Sequence, residues 1–447
     1  MTNATNNTTG PSKNSKSSVG RRAFLGTVGS AAVATTVAGC IEGRGGAGAS
    51  GPLTIGHLAP LEISQGLGSD RSAKLAVDEI NDDGGIADRD VEVVSANTRA
   101  DPSTTHSETE RLIQEEEVDV LVGTFSSEAT QAILDLVGET GVPFLITGSA
   151  APTSITEFIG QDYEGYKSVF RSGPINSNLQ AEAMADYAEY LSDLHGWSSY
   201  GFLADDAAWT KPFSNLLPDK LESRGFDVVH EDRLSLGIDD FGPVVSDLSS
   251  ADPDAVFRFF AHIIGGGLLG AWHQEQLEFG IEGIHVASMT PGFYEATEGA
   301  ATYETTSQSG AAGVTDITDK TIPFVDAYQE TYADDDDAPS LPMYMGFNTY
   351  DAIYVYKNAI ERADTADYEG SLDDIVSALL ETDHTGTAGQ ISFYGADSEY
   401  PHDLQETRDD DGKIANFPIT QWRPEGEIEC VYPEAYRTDD HVAPHWM

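Results

Sequence analysis

Basic residues are scarce: 24 lysines and arginines stand against 75 aspartates and glutamates in 447 residues, a formal net charge of −51. Such a surface repels phosphate, so nucleic acid is excluded as a partner. Cysteine is nearly absent, with only Cys40 and Cys430. Two cysteines cannot build a disulfide framework or a thiolate metal cluster. No apolar run approaches the roughly 20 residues that a membrane-spanning helix needs. The motifs of common enzyme chemistries are missing too: there is no Gly-x-Ser-x-Gly elbow, no His-Glu-x-x-His helix and no Walker loop. Gly43 to Gly48 does match Gly-x-Gly-x-x-Gly, but no strand precedes it and it reads as a linker. His441 and His445 are spaced for one helix face, yet Pro444 between them prevents that helix. These absences argue against an enzyme; no catalytic residue, metal site or cofactor is expected.

What is present begins with an address. Residues 1–18 are polar, and Arg21 and Arg22 then open a pattern that resembles the twin-arginine export signal. The apolar stretch from Thr27 to Ala38 is too short to span a bilayer and ends in Val37-Ala38-Gly39-Cys40, which resembles a lipoprotein lipobox. The expectation is a signal peptide over residues 1–39, a lipid on Cys40 that ties the protein to the membrane, and a Gly-rich tether over residues 40–52. Removal of the signal takes Lys13, Lys16, Arg21 and Arg22 but no acid, leaving 20 basic against 75 acidic residues, or −55. A chain so charged needs high ionic strength to screen its own repulsion, as proteins of extreme halophiles do. The acidic runs Asp334 to Asp337 and Asp409 to Asp411 lack the ligand spacing of a calcium loop and read as solvated turns. With Cys40 lipidated, Cys430 is left alone and reads as a packed small hydrophobe.

From Leu53 onward, strands and helices alternate. Leu53 to Leu58 predicts a strand, and Ala73, Ala76, Val77 and Ile80 recur at the spacing of one buried helix face. Val91 to Val94 predicts the next strand, Ser107 to Glu116 a charged helix and Val118 to Val122 a third strand. A helix with Ala129, Ala132, Ile133, Leu136 and Val137 on one face follows, then a strand at Val142 to Ile146. Short connections of this kind require a parallel, doubly wound sheet. After Phe170 to Pro174 the rhythm restarts: helix Leu179 to Leu194, strand Tyr200 to Ala204, helix Phe213 to Ser223, strands Asp227 to Val229 and Ala255 to Phe260. Gly265 to Gly280 predicts a further helix and His285 to Met289 its strand. The fold class is α/β, two doubly wound parallel-sheet lobes with a binding cleft between their carboxyl edges.

At this point the chain resembles the type I periplasmic binding proteins of leucine, isoleucine and valine uptake systems. The carriers are Ile55 to Pro60, Ala76 to Ile86, Asp101-Pro102, Val122 to Gln131 and Tyr344 to Ala363, in the family's order. The resemblance implies a three-stranded hinge that crosses near Arg171 to Pro174, Gly313 to Asp316 and Gly386 to Gly389. Lobe one would comprise residues 53–172 and 315–387, and lobe two residues 173–314 and 388–447. It also implies a small-molecule ligand, such as a branched-chain amino acid, amide or related carboxylate, handed to the permease and ATPase of an ABC transporter. A sensor or regulatory domain of the same fold is the alternative.

Carried over residue by residue, the ligand carboxylate would meet Ser127 and the loop of Ser149, Ala150 and Ala151. Independently of the family, Ser127 stands where a helix begins, so it can hold an anion, cap the helix, or both. The family's threonine hydroxyl falls on Ala151 and is missing unless Thr153 reaches in. Trp209 would form an aromatic wall, a second aromatic falls near Ala261 or His262, and the carboxylate that pairs with an amino group falls near Thr290, where none exists. Glu295 is out of register. A plain amino acid is therefore in doubt, since an unpaired buried charge is costly; Arg258 could instead face an anionic group.

Overall fold

The structure, a computed structural model, describes residues 51–447; Arg21, Arg22, Cys40 and the tether up to residue 50 lie outside the described residues. The first sheet is built from β1 (Leu53–Ala59), β2 (Val91–Asn97), β3 (Val120–Gly123), β4 (Phe144–Ile146) and β5 (Val169–Arg171). Its central strands are short, largely apolar runs with every residue buried, Thr54 and His57 of β1 included, as a sheet covered on both faces demands. All pairings are parallel, in the order β2-β1-β3-β4-β5. The order reverses between β1 and β3, and such a reversal opens a crevice beyond the carboxyl ends of the strands.

The second sheet repeats the plan with β6 (Ser199–Asp205), β7 (Asp227–Leu234), β8 (Ala255–Phe260) and β9 (Gly280–His285), parallel in the order β7-β6-β8-β9. Edge strand β7 alternates exposed and half-buried residues, whereas β8 and β9 are buried throughout. Beside β9 lies β10 (Thr305–Ser307), whose Thr306 hydroxyl accepts from the His285 N–H at 2.9 Å. A small hairpin of β11 (His384–Thr385) and β12 (Gln390–Ile391) follows. β13 (Ile419–Trp422) and β14 (Ile428–Tyr432) then continue antiparallel from β10. The C-terminal segment thereby returns to the second lobe.

Helix Met343–Ala363 returns to the first lobe and lies along helix Ser64–Asp82. The contact is close because a Cβ on Gly346 would fall 2.6 Å from the Ser72 Oγ. Cys430 is fully buried beside Ala311 and Ile317, and burial pushes its thiol up to about 12. Asp335 accepts from Arg71 at 2.7 Å, and Asp409 holds a turn by accepting from the N–H groups of Asp411 and Lys413.

Several elements differ from the sequence expectations. The helix expected over Gly265 to Gly280 ends at Glu275, its strand is Gly280–His285, and Ala287–Met289 is a tight turn. The pattern was misleading because β9 buries polar residues. Glu282 sits inside and accepts from Tyr187 at 2.8 Å and Thr305 at 2.6 Å, and His441 lies 3.0 Å away. The helix expected after β3 is two pieces, Ser127–Gln131 and Leu134–Thr140, and Leu134 rather than Leu136 turns inward. The charged helix begins at Pro102, five residues early, because the Asp101 side chain caps it by accepting from the Thr104 N–H.

Candidate functional site

The carboxyl ends of the two sheets face each other across a cavity of about 90 Å³ that both lobes line. That is room for roughly six to nine water-sized groups.

The first wall is made mostly of main chain. Ser126, not Ser127, caps the helix after β3, its Oγ accepting from the Ala129 N–H at 3.0 Å. Ser127 is thereby freed: its Oγ donates to Ser149 Oγ at 3.4 Å and accepts from the Ala151 N–H at 3.2 Å, tying it to the loop after β4. A five-residue helix sums few peptide dipoles, so the loop itself carries the anion chemistry. Four of its five carbonyl oxygens, all but that of Ser149, are taken. Thr147 O accepts from Asn348 Nδ2 at 3.0 Å, Gly148 O from the Tyr344 hydroxyl at 3.1 Å, and Ala150 O from the Ser177 N–H and hydroxyl at 2.8 and 2.9 Å. Ala151 O accepts from Arg171 at 2.6 Å. Among the described residues, the N–H groups of Gly148, Ser149 and Ala150 have no acceptor. A strip of backbone donors with most of its carbonyls engaged elsewhere suits a carboxylate. Gly148 cannot be replaced cheaply, since its Cβ would sit 2.6 Å from Thr124 O.

The second wall is made of side chains. Trp209 follows β6 on a tight turn, lines the cavity and is only 6% exposed, and its indole N–H has no acceptor. His262 follows β8 and also lines the cavity. Asp205 Oδ2 lies 3.1 Å from His262 Nδ1 and accepts the N–H groups of Ala261 and His262, each at 2.9 Å. Burial opposes a charge on the imidazole, but the bond to Asp205 and the charges of Asp205 and Glu128 outweigh it, so His262 holds its proton more readily than a free histidine. Ile284, Val286 and Met289 add an apolar surface.

Of the remaining expected positions, Ser127, Ala150, Trp209 and His262 line the cavity, whereas Ser149, Ala151 and Thr290 stand behind it. Thr290 closes the turn after β9, its N–H bonded to Ala287 O at 3.2 Å, and Met289 takes the cavity position. The Thr153 hydroxyl does not reach in; it accepts from Gln131 Nε2 at 2.6 Å. Glu295 is exposed. Arg258 is turned away from the cleft, fully buried and paired with Glu304 at 2.9 Å, and Glu304 also bonds His285 at 2.7 Å. Residue spacing could not show this, because it takes β10 to bring Glu304 alongside β8.

The lobes touch across the mouth of the cleft. Gln65 Nε2 donates to Val286 O at 2.8 Å, the Ala208 N–H donates to Glu128 Oε1 at 2.7 Å, and the Phe125 ring meets the His262 ring edge-on at 5.8 Å between centroids. This is a closed arrangement.

A family profile described as periplasmic binding protein matches residues 52–413, most of the chain. The chain belongs to the periplasmic binding protein family. Among curated relatives, this binding protein is 27% identical over 374 residues to Leu/Ile/Val-binding protein homolog 3 of Brucella melitensis, covering 82% of this chain and 93% of that one. It is 31% identical over 211 residues to the chemotactic signal transduction system substrate-binding protein BasB of Halobacterium salinarum, covering 46% and 49%. In fold it is similar to a putative branched-chain amino acid ABC transporter protein from Silicibacter pomeroyi, at a TM-score of 0.74 and 21% identity, covering 89% of this chain and all of that one. A Streptococcus pneumoniae branched-chain amino acid transporter substrate-binding protein, solved with isoleucine, gives a TM-score of 0.68 at 21% identity, covering 86% and 100%. A Rhodopseudomonas palustris solute-binding protein, solved with 4-hydroxybenzoate, gives 0.68 at 16% identity, covering 88% and 98%.

Sequence reasoning missed the groups that hold the binding protein's first wall in place. Arg171 pairs with Asp403 at 3.3 Å, both fully buried, and Asp403 Oδ2 accepts from Asn176 at 3.2 Å. An arginine flanked by Phe170 and a Gly-Pro turn is a signal for a buried ion pair, though its partner lies over 200 residues away. Asp351 also lines the cavity; both its oxygens accept from the Thr387 N–H, and burial pushes its carboxyl up to about 6.

Proposed function

We propose that this periplasmic binding protein captures a small organic carboxylate outside the cytoplasmic membrane and hands it, chemically unchanged, to the permease of an ABC transporter. The observation that carries this reading is the loop from Thr147 to Ala151, whose mostly bound carbonyls leave the N–H groups of the cavity-lining Gly148 and Ala150 without an acceptor, beside Ser127. The relatives named for leucine, isoleucine and valine support the transport role. A plain amino acid fits the cleft less well than a carboxylate without an ammonium group. Met289 stands where a pairing acid would be needed, and Asp351 already spends both oxygens on backbone N–H groups. The decisive experiment is mass spectrometry of small molecules released from the purified protein, followed by calorimetry with each. Release of an amino acid alone would sink the carboxylate reading.

The lobes divide near residues 172, 314 and 387 on this reading, and closure about those crossings is what a permease would recognise. Export by the twin-arginine route with a lipid on Cys40 completes the proposal. Cys40→Ser should release the protein into the medium or leave it unprocessed, with no lipid label. The acidic surface fits a high-salt habitat. Circular dichroism should show cooperative unfolding as salt falls from molar to about 0.1 M, where the screening length grows from roughly 3 to 10 Å. A second reading, presentation of the ligand to a chemotaxis receptor, is favoured by the similarity to BasB. Deletion of the gene would then abolish taxis toward the ligand while leaving its uptake intact.

A further inference from the structure

We propose that the second wall reads an oxygen at the far end of the ligand through the His262 imidazole, beside the Trp209 ring. The ligand is then a carboxylate whose apolar body ends in a hydroxyl or a second carboxylate. This rests on the reading that the carboxylate lies against the first wall.

Three observations carry it. Trp209 is buried in the cavity wall and its indole nitrogen has almost no accessible surface, so it meets the ligand with ring carbons and leaves recognition of an oxygen to His262. His262 is oriented from behind: Asp205 Oδ2 accepts two main-chain N–H groups and lies within hydrogen-bond reach of Nδ1, which leaves Nε2 without a protein partner among the described residues. A carboxylate partner selects Nδ1 as the protonated nitrogen, and the raised proton affinity of the ring adds a second donor at Nε2. The charged groups acting on this ring are Asp205 and Glu128. An oxygen can accept from Nε2, a hydroxyl can in addition donate to a neutral Nε2, and neither an ammonium nor a methyl can accept. Phe125, Ile284, Val286 and Met289 also line the cavity and suit an apolar body.

The test uses calorimetry on the full exported chain with size-matched ligands: 4-hydroxybenzoate against p-toluate, glutarate against 5-methylhexanoate, and isoleucine. In the parent protein the oxygen-ended member of at least one pair should bind roughly tenfold tighter or better, the scale of one or two satisfied hydrogen bonds. Trp209→Phe keeps the apolar wall and should leave the gap within roughly twofold of the parent's, whereas His262→Gln should narrow the gap without changing the melting temperature. Ser127→Ala should weaken both members alike. Failure of that last variant alone, with the gap intact in the parent and narrowed in His262→Gln, would remove the carboxylate placement and leave the distal reading standing. Equal binding of the members of both pairs, tighter binding of isoleucine than of every carboxylate, binding of none of them, or a gap unchanged in His262→Gln would overturn it.

Discussion

The two walls of the cleft recognise by different means. The first lobe offers main chain: a loop whose carbonyl oxygens are tied to Asn348, Tyr344, Ser177 and Arg171, so its N–H groups are fixed before any ligand arrives. The second offers side chains, Trp209 and His262, on turns after β6 and β8. Main chain held in this way recognises a shape that does not change, such as a carboxylate. Side chains recognise what does change, and one substitution there alters the ligand accepted without disturbing the fold.

Buried ion pairs sharpen that contrast most. Arg171–Asp403 and Arg258–Glu304 are both wholly buried, but only the first touches the ligand loop. Arg171→Met and Glu304→Ala should each cost about 3–5 kcal/mol in urea unfolding, because each leaves a buried charge alone. Calorimetry in a stabilising salt should then show affinity lost in Arg171→Met and kept in Glu304→Ala. Equal losses in both would erase the distinction between a wired and an unwired pair.

Acid should weaken the first lobe next. His57, buried in β1, is held neutral by burial, which outweighs the opposing pull of Asp70, and its pKa falls to about 4. The unfolded chain takes up that proton near pH 6.5 while the folded one refuses it until about 4. Stability therefore falls as pH drops from 6.5 towards 4, by on the order of 3 kcal/mol for this residue. His384 and His402 act in the same direction and Asp351, whose folded pKa is raised, in the opposite one. Melting temperatures across that window should slope less in His57→Gln than in the parent; parallel slopes would exclude His57 as the cause.

Ser127→Ala tests the first wall directly. It removes a hydroxyl near the carboxylate, worth about 1.5 to 3 kcal/mol, so affinity should drop roughly ten- to a hundredfold with the melting temperature kept. The smallest effect belongs to the mouth of the cleft. Gln65→Ala deletes one neutral bond between the lobes and should weaken binding by about 0.5 to 1.5 kcal/mol. Small-angle scattering should show a larger radius of gyration at subsaturating ligand, and no change would mean that closure does not depend on that bond.

What could be read from the sequence follows the same divide. The central strands of both sheets are legible because they are largely apolar runs, interrupted by His57 in β1 and Arg258 in β8, and the strand-end positions of Ser127 and the Ser149 loop are legible because short motifs follow those strands. β9 was misplaced because its interior holds Glu282 and His285, which hide a strand unless their distant partners are known. Arg258 was left open for the same reason: Glu304 reaches it only through β10. Asp205 went unread as the group behind His262, since a carboxylate at a strand end gives no sign of what it will accept.

Both bonds that close the cleft end on second-lobe main chain, the carbonyl of Val286 and the N–H of Ala208. Val286 lines the cavity, and Ala208 adjoins Trp209, which does too. Because the lock is read from the peptide backbone, these side chains can be exchanged without removing it. A lineage can therefore change the solute it gathers by drift at positions 286 and 209 while every intermediate still shuts.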